Sequence, residues 1–183
     1  MLLILTLACA HRPTETVGSE PATCDEAFER GATLYNRGAD DTALAIWVDG
    51  YNRCGPGYGF LATQAVVASK REAYDDAARL VMRELREARP STRALQLLIA
   101  LKLKVSPGVM TEVLAMGRTA EAPVFVPDIS GEYAWIRFLV CGGKEEALRQ
   151  SLVDGLDRME FVCAGSAPQT VFFKLSAEPS APL

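Results

Sequence analysis

The sequence predicts an α+β protein: α-helical hairpins over the first two thirds, then a small β-rich module. Three observations predict it. From Cys24 to about Pro90 the chain is Ala-rich and charged, with apolar residues at helical spacing. Small residues in that stretch recur with a 34-residue period. After Ala122 the composition turns to Pro, aromatic and β-branched residues.

The organisation read from the chain is a leader at 1–9, a tether at 10–22, helical hairpins at 23–122, a β-rich unit at 123–176 and a loose tail at 177–183. With 183 residues, 49% of them apolar, the chain is long enough for a buried core, and wholesale disorder is excluded. A net charge of −4 offers no basic field for a nucleic-acid backbone. His11 is the one histidine, so a His-based triad, a His-ligated zinc and a haem are not expected. Neither a cofactor nor a metal is expected.

Leu2 to Ala8 form an apolar run too short to span a bilayer, which takes ~20 residues. Its length suits the apolar region of a secretory signal. Leu5-Thr6-Leu7-Ala8-Cys9 resembles the lipobox of bacterial lipoproteins. That resemblance implies lipid attachment at Cys9 and a protein anchored to the cell-envelope membrane, facing the periplasm. Thr6 departs from the pattern, and no Lys or Arg precedes the apolar run. Ala8-Cys9-Ala10 also satisfies ordinary signal cleavage, which would leave the protein soluble in the periplasm. Arg12 to Ala22 carries two Pro and one Gly and reads as a tether.

In the helical part, Gly31 and Ala65, Ala43 and Ala77, and Trp47 and Val81 are each 34 residues apart. Gly38 stands where a helix would end, before the Asp40-Asp41-Thr42 start of the next. The pattern resembles the tetratricopeptide repeat (TPR), a helix–turn–helix unit in which small residues let two helices approach and a bulky one fills the gap between units. Ala27 and Leu61 stand where that family favours Trp, and Gly50 and Glu84 where it favours Ala. Thr92 to Lys104 is apolar and of helix length, and Ser106-Pro107 reads as an N-cap and first-turn proline opening a helix to Met116, before Gly117.

The resemblance implies a concave groove lined by the first helix of each unit. The groove residues it assigns are Phe28, Tyr35 and Asn36 with Ala32, then Val66, Ser69 and Lys70 with Ala62. The same residues read as ordinary core contacts are the alternative. The repeat register also places Cys24 and Cys54 at the neighbouring open ends of one hairpin.

If Cys9 is acylated or removed, four Cys remain, and an even number in an exported chain suggests disulfides. Four Cys allow three connectivities. Position favours Cys24–Cys54 and Cys141–Cys163; four buried thiols in a cytosolic protein are the alternative.

In the last third, Pro123 to Pro127 is expected to be extended, and Tyr133–Cys141, Met159–Cys163 and Thr170–Leu175 to be strands. Leu148, Leu152 and Leu156 favour a helix over 145–156, against the hairpin signal Asp154-Gly155. A crossover helix would set Cys141 and Cys163 side by side at the ends of parallel strands. Arg137 is expected to pair with Glu160.

The function that results is a non-enzymatic exported adaptor, lipid-anchored, that binds another cell-envelope protein. One alternative is a small envelope enzyme using Cys141, or Asp154 with Asp157, in the C-terminal module. The other is a cytosolic helical-repeat interaction protein.

Overall fold

The computed structural model describes residues 21, 23–87 and 90–176. Cys9 with its leader, the tether other than Pro21, and the tail lie outside the described residues. Six helices come first: α1 Cys24–Asn36, α2 Asp40–Cys54, α3 Phe60–Lys70, α4 Tyr74–Glu84, α5 Thr92–Leu101 and α6 Pro107–Leu114. Then follow β1 Val124–Val126, α7 Ile129–Ala134 running into a π-helical segment Trp135–Val140, β2 Glu145–Val153, β3 Leu156–Cys163 and β4 Gln169–Leu175. The protein is α+β, with helices preceding a four-stranded sheet. The strand order is β1-β4-β3-β2, with β1 parallel to β4 and the other pairs antiparallel.

Local chemistry sets the helix ends. Thr23 caps α1 by accepting from the Glu26 amide at 3.1 Å, and Asp25 and Glu26 meet the positive end of the helix. Ser91 and Ser106 cap α5 and α6, with Pro107 in the first turn of α6. Small residues set how closely helices pack. A Cβ on Gly31 would lie 2.2 Å from the Trp47 indole nitrogen, which donates to the Phe28 carbonyl at 3.2 Å. Ala27, Ala43, Ala65, Ala77 and Val81 are all fully buried.

Two cores result. The smaller joins α1, α2 and α3 through Ala27, Ala43, Trp47, Phe60 and Val67. The larger runs from Ala62 in α3 to Phe173 in β4 and crosses residue 122 without a break. Gly117 lies against the sheet so closely that a Cβ would come within 2.8 Å of both Val124 and Val171. Its carbonyl accepts from the Phe172 amide at 2.7 Å, and the Leu85 carbonyl accepts from Phe125 at 2.8 Å.

A carboxylate fastens the helices. Glu84, at the end of α4, is buried. It accepts from the Ala62 amide in the first turn of α3 at 2.6 Å, and from the Ser91 amide and hydroxyl at 2.8 and 2.6 Å. One carboxyl group thus serves two helix N-termini, where backbone N–H groups lack partners of their own.

The C-terminal third corrects two expectations. Residues 133–140, expected to be a strand through Cys141, are helical. Asp128 caps α7 through the Gly131 amide at 2.9 Å, and Glu132, Trp135, Ile136 and Leu139 turn one buried face inward. The apolar run satisfies a strand by composition, but its burial has helical period. Residues 145–153 are strand β2, not a helix. Asp154 and Gly155 both take positive φ, 50° and 76°, and close a two-residue hairpin to β3.

Both disulfides form as the sequence favours, Cys24–Cys54 and Cys141–Cys163. The second forms for another reason than expected. Cys141 ends the π-helical segment, and the chain turns through Gly142-Gly143 into β2, where Glu145 lies opposite Cys163. Arg137 pairs with Glu145 and not with Glu160, whose partner is Arg158 at 2.5 Å.

Two outcomes follow from this packing. Glu84→Ala should cost about 2–4 kcal/mol in urea denaturation, because buried donors at two helix ends lose their acceptor; a loss below about 0.5 kcal/mol would contradict the fastening role. Gly31→Ala should cost about 1–3 kcal/mol by overpacking, with a change in the near-ultraviolet dichroism of Trp47.

Candidate functional site

A groove of about 860 Å³ opens where α1, the α2–α3 loop, the start of α5 and the end of β4 converge. Helix α1 supplies Asp25, Phe28 and Glu29, and the loop supplies Gly57, Tyr58 and Gly59. Pro90 to Arg93 form the opposite wall, and Pro127, Asp128 and Ser176 close the end beside the sheet. Gly59 (φ +72°) sets the depth. Its position leaves a Cβ 3.7 Å from Phe28 and 3.6 Å from Ser91, so the loop backbone bridges the two walls. The rings of Phe28 and Tyr58 each sit about 6 Å from Phe60, at 6.0 and 5.9 Å between centroids, which gives one wall an aromatic lining.

The groove is mostly acidic. Asp25 and Glu29 are one helical turn apart on α1, and both are exposed. Asp128 is held below the usual carboxylate range by the Ser130 hydroxyl and the Gly131 amide. Arg93 is the basic residue of the lining.

The residues assigned to the groove from sequence divide. Phe28 lies in it. Tyr35 is half-buried against Trp47 at 5.9 Å, and Lys70 caps its ring at 5.3 Å while pairing with Asp40 at 2.6 Å. Val66 and Ser69 are half-buried and Asn36 is exposed. The structure thus brings Tyr35 and Lys70 together, at the other end of α1 and α3 from Phe28. Asp25, Glu29, Tyr58 and Arg93 were not foreseen. The glycines around Tyr58 mark a turn that puts an aromatic ring on a loop, and this could have been read.

A second cluster lies under α7. Glu132 is fully buried; Gln150 donates to it at 3.3 Å and to Asp157 at 2.8 Å. Glu132 Oε1 and the Trp135 indole nitrogen find no partner among the described residues. Burial first, then the charge and hydrogen bond of Asp157 and the charge of Asp128, push the Glu132 carboxyl up to about 8. A proton on Glu132 turns an unpaired oxygen into a donor beside a second carboxylate. Of the residues considered for catalysis, Cys141 is bonded to Cys163, Asp154 sits in the hairpin turn, and Asp157 faces Glu132.

Among the described residues no group of three or more His, Cys, Asp or Glu could hold a metal ion, and no helix is long and apolar enough to cross a membrane. The chain matches no family model, no curated protein and no solved structure. The two disulfides fit an oxidising, non-cytosolic compartment.

The buried acid makes stability depend on pH. The folded state keeps a proton on Glu132 up to about pH 8, whereas the unfolded chain releases it near the ordinary 4.5. Stability from this group therefore falls as pH rises from 4.5 to 8 and stays low above that. Glu132→Gln should raise Tm, with a gain that grows across this window in calorimetry; a gain independent of pH would contradict the assignment.

Proposed function

We propose that this protein is a non-enzymatic docking module of the bacterial cell envelope, exported and lipid-anchored through Cys9, whose TPR-like hairpins offer a groove to another envelope protein. The carrying observation is the groove itself. It is wide, open, aromatic on one wall, and framed by elements from both the helical and the sheet parts. The pairing of α1 with α2 and of α3 with α4, with Ala43 and Ala77 buried at corresponding places, supports the repeat-like reading. The disulfides support an oxidising compartment, and the Leu5–Cys9 pattern supports the anchor. Phe28 and Tyr58 are the residues of choice for contact, because large rings supply most of the energy of small interfaces.

A photoreactive amino acid in place of Tyr58 should crosslink a discrete envelope partner in intact cells. The same group in place of Leu103, which is 93% exposed and remote from the groove lining, should not. Equal crosslinking from both positions, or none from Tyr58, would overturn the docking reading. Labelling with palmitate should disappear in Cys9→Ala.

A further inference from the structure

We infer that the groove recognises a cationic side chain, Lys or Arg, carried on an extended segment of a partner protein, held between the Phe28 and Tyr58 rings and the carboxylates of Asp25 and Glu29. The inference rests on the docking reading above and gives its partner a chemistry.

Two independent observations carry it. The first is how the protein treats its other aromatic rings. Tyr35 is capped by Lys70 at 5.3 Å, Tyr51 by Arg83 at 4.6 Å, Tyr74 by Lys104 at 4.9 Å and Phe125 by Lys174 at 5.8 Å. Outside the groove, aromatic faces thus repeatedly carry a cation from the chain itself. Phe28 and Tyr58 carry none among the described residues, and Tyr58 is 42% exposed. Tyr133 and Phe138 are also uncapped, but they lie outside the groove and lack its carboxylates.

The second observation is charge. Asp25 and Glu29 flank Phe28 on α1 and form no ion pair among the described residues, although ion pairs are plentiful elsewhere on the helices, as in Lys70–Asp40 and Arg71–Asp41. Asp128, ionised and fixed, adds a third negative charge across the groove. A ring face and a carboxylate both attract a cation, and an Arg guanidinium can stack on the first while donating to the second. Arg93, on the opposite wall at the start of α5, is placed to meet a backbone carbonyl or carboxylate of the same segment.

The test is a titration of the full disulfide-bonded chain with N-acetyl-arginine amide, its uncharged citrulline counterpart and N-acetyl-glutamate amide, followed by amide shifts in nuclear magnetic resonance. The arginine fragment should move Gly57, Gly59 and Arg93 at millimolar concentration, about fivefold more tightly than citrulline. Asp25→Asn with Glu29→Gln should erase that margin at no more than the small Tm loss that Asp25 at the positive end of α1 entails, and Glu146→Gln, outside the groove, should keep it. Equal shifts from citrulline, stronger shifts from the glutamate fragment, or no shifts at all would overturn the cation assignment. Crosslinking from Tyr58 would then still decide the docking reading separately. Equal loss in Glu146→Gln would reduce the effect to net charge and overturn it as well. Shifts of the same amides on deleting residues 177–183, or on raising the protein concentration alone, would give the groove to the chain's own tail or to a second copy, and the inference would fall.

Discussion

The structure depends on one buried carboxyl group. Glu84 holds the first turn of α3 and the cap of α5 at the same time. Removing a carboxylate from water is costly, and burial does push this carboxyl up from its ordinary value. Three close donors and two helix ends offset that cost. Because the donors belong to two helices that are not consecutive, the carboxyl acts as a registration point. It fixes α3 against α5, and the Gly59 backbone then lies between Phe28 and Ser91. The depth of the groove is thus a consequence of a contact made beneath it.

What was legible in the sequence, and what was not, follows from which physical signal each segment carries. The six leading helices were readable because their signals are local: Gly38 at a helix end, Ser106-Pro107 at a helix start, small residues repeated at a fixed interval. Glu84 stood out in the sequence only as a departure from the Ala that the repeat pattern favours. The structure shows why it departs, since an Ala there could not reach two helix ends. Residues 133–141 misled because aromatic and β-branched composition is a weaker signal than the side-chain period, and the Asp128 cap starts a helix just ahead of them. Residues 145–156 misled for another reason. A spacing of four is also a multiple of two, so Leu148, Leu152 and Leu156 fit a strand as well as a helix, and only the Asp154-Gly155 turn breaks the tie. The groove was half legible: Phe28 was assigned from the helical register, but Arg93, Asp128 and Ser176 come from far along the chain. Only the tertiary fold brings them to α1.

The joint between the helical and sheet parts combines a shared side-chain core with backbone hydrogen bonds. Leu85 accepts from Phe125 and Gly117 accepts from Phe172. Such bonds hold nearly any side chain, yet they demand close approach, and Gly117 provides it where a Cβ would strike two valines. The larger core passes through this joint, which is why the sheet can serve as one end of the groove. Glu132, in α7, is a buried acid with too few donors. Its proton, and not a cation, balances Asp157, so this part of the core is best satisfied in mildly acidic surroundings.

The α1–α2 hairpin is held differently from the rest. It shares only the smaller core, in which Phe60 and Val67 are the α3 contribution. The Cys24–Cys54 bond ties its open end, and in a simple chain-entropy account closing a loop of this length contributes about 3–4 kcal/mol. The hairpin also carries Phe28, Asp25 and Glu29, so this wall of the groove is the one with the least core behind it. The staple ties the start of α1 to the end of α2, while the connection to α3 runs through Gly55, Gly57 and Gly59, all with positive φ. A preorganised wall loses little freedom on binding, which favours a recognition surface over one that must be assembled by its ligand.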